Sequence, residues 1–454
     1  MLAPPTLAKH FARVRPDDVA ALFRQQLQWP QQFGQKRARL YTHEATFWLF
    51  LGQVMATGSA CQKVVARFLA RCAPRGPIPS ANTAAYCKAR QRLPQAALDH
   101  LFAGTARDDK QQGERWCGRR VKVVDGSSVS MPDTAQSQAV YPQPTGQQPG
   151  CGFPVMRLVA VFSMATGAVL AYAKGALSTH ERTLFHQLWD HFEPDDVVLA
   201  DRGFCSFADL HLLFLRGVDC LMRKHSRRGA SSIQEKKLAE GDLLMRWRKN
   251  KVRPGWLSEE AWGALPMTLL VREITFEVAT AGFRTKTITL ATTMLDAKRY
   301  PKELLATLYR HRWMAELSLR DLKTTMAMEI LRCKSPNMAD KELTLHLIAY
   351  NLIRAVIQRA ATIHGTTPQR IGFKATLATL RQWAPPLAAL GERPRKQAQL
   401  RAAMLQVITS NQIPERSGRT EPRAKKRRAK NYELLTKPRH EFKETPHRSR
   451  YRAA

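Results

Sequence analysis

Tyr309-Arg310-His311-Arg312-Trp313-Met314-Ala315-Glu316, running on through Leu319 and Asp321 to Lys323, is the stretch around which the chain is organised. It lacks Pro and Gly, has few β-branched residues, and is rich in Ala, Leu, Met, Glu, Arg and Lys, a helical composition. At about 100° per residue, Tyr309, Arg312, Glu316 and Lys323 fall within roughly 60° of one another. One face of the predicted helix, entered through Pro301, therefore carries an aromatic, a guanidinium, a carboxylate and an ammonium. A helix that only covers a core would carry an apolar stripe there. One acid among bases suits a metal-binding carboxylate working beside a polyanionic substrate.

The bulk charge points the same way. The chain has 454 residues, with 72 Lys and Arg against 37 Asp and Glu, a net charge of +35. Such an excess, spread along the chain, implies a polyanionic partner, most simply nucleic acid. Hydrophobic content of 44% is enough for a sizeable core and argues against general disorder. The eight cysteines show no C-x2-C spacing and no matching histidine pair, which excludes a zinc ribbon and fits free thiols in a reducing cytoplasm. No apolar run is long enough to span a bilayer, and the first thirty residues carry no signal-like apolar segment.

Outward from the signature stretch, residues 1–118 read as helical. Arg39 to Val54 is strongly apolar, with Thr42 and Glu44 placed as cap and first-turn residues. Gln62 to Arg71 follows, then a helix expected to open with Ser80 as N-cap and to end before Pro94. Its Lys88, Arg90 and Arg92 form a basic cluster, suited equally to a solvated face or to DNA phosphates. From Arg119 the pattern becomes α/β. Val121 to Val124 predicts a short strand delivering Asp125, with Gly126 permitting a tight turn directly after it. Arg157 to Met164 and Ala168 to Lys174 read as strands, and Ser178 with Glu181 as a capping box for a helix through Trp189; His180 has no evident partner. Val197 to Ala200 is an apolar strand ending at Asp201-Arg202-Gly203, followed by a helix over Ser206 to Arg216 and a strand near Cys220 to Met222.

Residues 223–299 begin with a basic patch and continue with hairpin-like runs at Leu243 to Lys249, Leu269 to Val278 and Thr285 to Thr292, a β-rich insertion. Residues 300–362 return to helix, with the signature stretch and an apolar run from Lys341 to Ala361. Residues 363–414 read as a helical C-terminal region. Residues 415–454, with 14 Lys and Arg against 5 Glu, read as a mobile basic tail adding salt-sensitive DNA affinity.

Three carboxylates stand out by position: Asp125 and Asp201 at strand ends and Glu316 on a helix. Acids at the C-terminal edge of an α/β sheet lie where such sheets place their sites. Oxygen ligands of this kind suit Mg²⁺, and three suffice for two ions in phosphodiester chemistry. A strand-end Asp on its own is as often a turn residue.

With these residues in view, the chain resembles the bacterial insertion-sequence DDE transposases that carry a Y-x2-R-x3-E-x6-K signature. Tyr309, Arg312, Glu316 and Lys323 match it at its own spacing. Asp125-Gly126-Ser127, with Met131-Pro132-Asp133 downstream, looks like that group's first-acid motif, and Ala200-Asp201-Arg202-Gly203-Phe204 like its second. Ala89-Arg90-Gln91-Arg92-Leu93 resembles a recurring N-terminal element. The resemblance spans roughly residues 35–360.

It implies an α/β ribonuclease-H-like catalytic core interrupted by the β-rich insertion, between a helical N-terminal DNA-binding region and a helical, basic C-terminal region. It also implies cut-and-paste transposition through a hairpin intermediate. Asp125, Asp201 and Glu316 would hold two Mg²⁺ ions, with Mn²⁺ as a substitute, and Tyr309, Arg312 and Lys323 would grip DNA, acting in a homodimer on element ends and target DNA. In relatives a tryptophan of the insertion stacks a displaced base. Trp247, Trp256 and Trp262 lie in that region, with core packing the commoner role for each, and Trp313 is expected in the core. Arg202 would contact phosphate or pair with Asp201. The rival readings are a catalytically inactive DNA-binding descendant of a transposase and another ribonuclease-H-like nuclease such as a junction resolvase. The expected setting is a bacterial cytoplasm, with the protein associated with the nucleoid through DNA.

Overall fold

Ten consecutive residues, Val121–Ser130, form β1, the strand from which the computed structural model of this protein is best understood. The structure describes residues 16–34, 39–56, 60–108, 115–225, 228, 232–277, 287–391, 393–414 and 435–441. Apart from 435–441, the basic tail at 415–454 lies outside the described residues.

β1 pairs antiparallel with β2 (Val155–Ser163), which pairs antiparallel with β3 (Val169–Ala176). On its other side β1 runs parallel to β4 (Val197–Ala200), and β4 parallel to β5 (Asp219–Arg223). The continuous apolar sequence of β4 is that of a strand covered on both faces. β6 (Ser232–Ala239), β7 (Asp242–Arg248), β8 (Thr268–Glu277) and β9 (Thr287–Thr292) extend the same sheet, giving the order β3-β2-β1-β4-β5-β9-β8-β7-β6. The strands expected as an insertion thus continue one nine-stranded mixed α/β sheet.

Side chains alternate across a strand, so the two faces of the sheet are read off odd and even positions. Val121, Val123, Val197 and Leu199 enter one core, shared with Tyr309, Ala315, Leu319 and the long helix Pro336–Ile363. Val124, Val198 and Ala200 enter the other, with Leu184, Phe185, Phe207 and Leu210. The N-terminal helices His43–Met55 and Gln95–Thr105 pack against Pro336–Ile363 and join the first core. Thr42 accepts from Ala45 N at 3.1 Å, the cap its sequence predicts. Pro336 opens the long helix at a position where its missing N–H costs nothing, and Gly365, with φ +62°, follows its end. Asn351 on that helix accepts from Val169 N at 2.8 Å and donates to Val169 O at 2.9 Å, fixing the sheet's β3 edge to it.

Several sequence expectations are corrected here. β1 does not stop at Val124: Asp125 and Gly126 lie mid-strand, opposite Ala160 and Val159 of β2. Gly126 makes no turn; its missing Cβ leaves room for Glu181, whose carboxylate would stand 2.8 Å from an added methyl. Glu181 therefore lies against β1 and forms no box with Ser178. The N-cap of Glu181–His186 is His180, which accepts from Arg182 N at 3.2 Å, and that helix ends before Trp189. The helix expected from Ser80 begins at Ala84, after Asn82 accepts from Ala84 N at 2.8 Å in a local turn.

Buried ion pairs tie strands together. Arg272 and Asp242 join β8 to β7 through two bonds of 2.8 and 2.6 Å, and Arg272 also donates to Tyr300 O at 2.7 Å. Removing one partner of such a pair leaves an uncompensated buried charge. Asp242→Ala is expected to lower the unfolding free energy by about 3–5 kcal/mol. Glu235→Ala, which breaks the solvent-exposed pair with Arg246, should leave the urea midpoint where it was.

Candidate active site

The parallel register fixes the first two acids. Val121 stands beside Val197 and Val123 beside Leu199; the same offset carried along both strands sets Asp125 level with Asp201. Counting by twos from Val123 and Leu199, both aspartates face the core that contains the signature helices. Asp201 directly follows β4 and caps the short 3₁₀ turn Arg202–Phe204.

The signature stretch is not one helix. Lys302–Arg310 ends, His311 N and Arg312 N turn back to Leu308 O and Tyr309 O, and a second helix, Trp313–Arg320, begins. A π-helical turn, Asp321–Thr325, then carries Lys323. Such turns are over-represented at functional sites. Trp313–Arg320 packs on β1, which brings Glu316 over the aspartates. Arg312, at the break, donates to Glu316 Oε1 at 2.6 Å, and its guanidinium lies 5.9 Å from the Tyr309 ring.

These groups act on one another electrostatically. Burial pushes the Asp125 carboxyl up to about 6; Gly126 N and Arg312 oppose the shift, while Glu316 and Asp201 add to it. Gly126 N reaches Asp125 Oδ1 at 2.9 Å. Burial likewise raises the Tyr309 phenol, against the pull of Arg312, and Asp201 and Arg223 act on the same hydroxyl. Asp125, Asp201, Tyr309, Arg312 and Glu316 are thus brought together, and Arg223, the last residue of β5, joins them. The sequence showed Arg223 only as the first residue of a basic patch; its place at the end of a strand adjoining β4 was the signal.

Other expected site residues are placed differently. Lys88 and Arg92 are exposed on Ala84–Arg92. Arg90 is turned inward, over the Phe50 ring at 4.6 Å and the Tyr86 ring at 5.3 Å, with a bond to Gln53 Oε1 at 3.4 Å. It is a strut between N-terminal helices, which corrects its assignment to DNA. Arg202 is exposed, and among the described residues no ion pair joins it to Asp201. Trp247 is buried and donates to Glu273 Oε1 at 2.7 Å; Trp256 packs on His186 and Trp189; Trp262 lies under Lys249. Trp313, expected in the core, is 52% exposed at the start of the helix that follows the break.

With this geometry in place, the chain can be set beside known proteins. The family model for the transposase DDE domain matches residues 116–352. The chain belongs to that family and is a bacterial insertion-sequence enzyme of the DDE transposase type. It is 28% identical over 408 residues to transposase InsG for insertion sequence element IS4 of Escherichia coli (strain K12), covering 88% of this chain and 89% of that one. Among solved structures, a piggyBac transposase synaptic complex with hairpin DNA aligns over 93% of this chain and 87% of its own at 8% identity, with a TM-score of 0.42, too low to establish a common fold. No helix among the described residues is long and apolar enough to cross a membrane.

DDE transposases generally use divalent metal ions. Asp125 and Asp201 suit such an ion: hard oxygen donors, side by side, one of them a half-buried acid whose charge lacks full compensation. Glu316 has the right chemistry but is engaged by Arg312, and among the described residues no three His, Cys, Asp or Glu stand together closely enough to hold an ion.

The raised acid has a consequence for stability. An unfolded Asp loses its proton near pH 4, whereas Asp125 holds it to about 6. Between those values the native chain binds more protons, so its stability falls as pH rises through the window. In chelator and without DNA, Asp125→Asn should match the parent below pH 4 and exceed it by about 2–3 kcal/mol above pH 6 in urea unfolding.

Proposed function

We propose that this transposase cuts its element at the terminal inverted repeats and joins the freed 3′ ends to target DNA, with Asp125, Asp201 and Glu316 as its catalytic carboxylates. The observation that carries the reading is the level placement of Asp125 and Asp201 by the β1–β4 register, with Glu316, Arg312 and Tyr309 within electrostatic reach of them. The reading includes a ribonuclease-H-like core built on β1–β5 and the helices of residues 300–362, and a homodimer that brings two ends together.

The chain's own groups divide the work. Arg312 offers a planar fork to a phosphate, Lys323 and Arg223 offer further positive charge, and Tyr309 a hydroxyl donor, so the phosphodiester is held against the acids. Asp125, Asp201 and Glu316 would hold divalent cations, Mg²⁺ or Mn²⁺, which when bound would supply activation of the attacking oxygen and stabilisation of the leaving one. Water breaks the first phosphodiester and leaves a 3′-hydroxyl. That hydroxyl attacks a phosphodiester of the opposite strand, displacing the 3′-oxygen of the flanking DNA as a 3′-hydroxyl and closing a hairpin end. A second water hydrolyses the hairpin and restores the 3′-hydroxyl, which attacks a target phosphodiester and displaces a target 3′-hydroxyl. The tryptophans at 247, 256 and 262 are committed to packing, whereas exposed Trp313 stands beside Arg312 on the same helix as Glu316.

Purified protein with Mg²⁺ is expected to nick and join DNA carrying its own element ends, in a gel assay of labelled duplexes. Asp125→Ala, Asp201→Ala and Glu316→Ala should each abolish cleavage and leave end binding measured in chelator intact. Three variants that cleave like the parent would sink the assignment. A parent that binds ends but never cleaves with Mg²⁺ or Mn²⁺ is instead an inactive descendant. At the N-terminal helix, Lys88→Ala or Arg92→Ala should weaken binding to all duplexes alike. Each should also flatten the log–log salt dependence by about 0.9 for every phosphate it no longer neutralises.

A further inference from the structure

Arg312 has more than one anionic partner to choose from. It donates to Glu316 at 2.6 Å, and it lies within electrostatic reach of Asp201 and Asp125. It does so from the break between two helices, where its position is set by the turn at His311. The pairing does little for the helix it begins. A cation at a helix N-terminus opposes the macrodipole, and a base four residues before an acid is the weaker of the two orientations. The Glu316 side chain is 38% exposed and the Arg312 side chain 17%, so solvent and a large ligand can reach the pair. A phosphate presents two oxygens to a guanidinium fork as well as a carboxylate does.

Resting on the proposal above that Asp125, Asp201 and Glu316 form the metal site, we infer that Arg312 is a positioning residue that withholds Glu316 from that site until a DNA phosphate takes the guanidinium, which makes metal and DNA binding cooperative. Without DNA, the two aspartates stand ready and the third carboxylate is neutralised by its neighbour. A phosphate at the cleavage point draws Arg312 away and frees Glu316 for the cation. The same contact that anchors the substrate completes the ligand set. Linkage makes the effect reciprocal: the factor by which end DNA tightens the metal is the factor by which the metal tightens end DNA.

The test is Mn²⁺ binding to full-length protein, followed by the electron paramagnetic resonance of free Mn²⁺, without DNA and with saturating element-end duplex. The parent should bind Mn²⁺ more tightly with DNA than without, by roughly 5- to 100-fold. Arg312→Gln and Arg312→Met should each tighten DNA-free binding by a comparable factor and shrink the gain from DNA. A DNA-free affinity in both variants equal to or weaker than the parent's overturns the inference. Equal affinity of the parent with and without DNA overturns it too, and that measurement needs no variant to fold. Glu316→Gln separates the two levels of argument. If it leaves Mn²⁺ binding by the DNA complex unchanged, the metal-site reading itself fails. If it removes binding while Arg312→Gln behaves like the parent, only the withholding role fails.

Discussion

Carboxylates of like charge crowd one half-buried point of this molecule, and the mutual repulsion of Asp125, Asp201 and Glu316 is the constraint the site must meet. Two unit charges 5 Å apart repel by about 3 kcal/mol at an effective dielectric of about 20, comparable to a good share of a domain's net stability. The structure meets it in two ways. Arg312 sets a positive charge against Glu316 and within reach of both aspartates. Asp125, raised first by burial and further by Glu316 and Asp201, keeps its proton to about pH 6. Both are compensations a bound cation would make unnecessary, which is why the arrangement reads as a site built to receive one.

Holding the acids there takes rigid support from several directions. Asp196, buried at the start of β4, receives Lys122 at 2.7 Å, Arg120 at 2.8 Å and Glu193 N at 2.8 Å, locking the β1–β4 pair whose register sets the aspartates level. Arg119 reaches Asp219 at 2.6 Å and Tyr300 at 3.2 Å, joining β1 to β5 and to the segment that leads into the signature helices. Beyond them, Ser130 N bonds Glu329 O and Leu331 N bonds Ser130 O, so the chain leaving Lys323 is stitched to the end of β1. Glu342 receives Arg332 N and Cys333 N and holds that return. Glu316 is thereby fixed to the strand bearing Asp125 from both ends of its helix.

The sequence made the acids legible because each stands where a pattern ends or breaks: after VKVV, after VVLA, and as the lone acid on a basic stripe. The alternating and apolar runs marked every strand of the sheet except β6, whose polar sequence, SIQEKKLA, belongs to an edge with little to bury. What failed was continuity. A Gly after an Asp reads locally as a turn, yet β2 pairs straight through it, and the space that Gly126 provides is filled by a residue 55 positions away in the chain. The helix break at Arg312 has no Pro or Gly to announce it. Leu305, Leu308 and Tyr309 on one side of it and Ala315, Leu319 and Leu322 on the other all reach the same core. Trp313, read as core, is the first residue of the helix after the break and is exposed there.

The net charge of +35 illustrates how far composition can be carried. It names a polyanionic partner, but it does not say which cations meet that partner. Arg90, Arg119 and Arg272 are spent inside the fold, on ring faces, carboxylates and carbonyl oxygens. Arg381 and Arg401 likewise donate to the backbone of N-terminal helices, at Met55 and Leu22, and so attach the C-terminal helices Phe373–Ala389 and Pro394–Ser410 to them. A guanidinium with five donors can satisfy several buried acceptors at once, which is why arginine serves as both a fastener and a phosphate ligand. Only burial separates the two uses. By that criterion Lys88, Arg92 and Arg202 remain on the surface, where the proposed attraction to DNA would act, while Arg312 belongs to both groups: it is held by an acid of its own chain, and the pair is within reach of solvent.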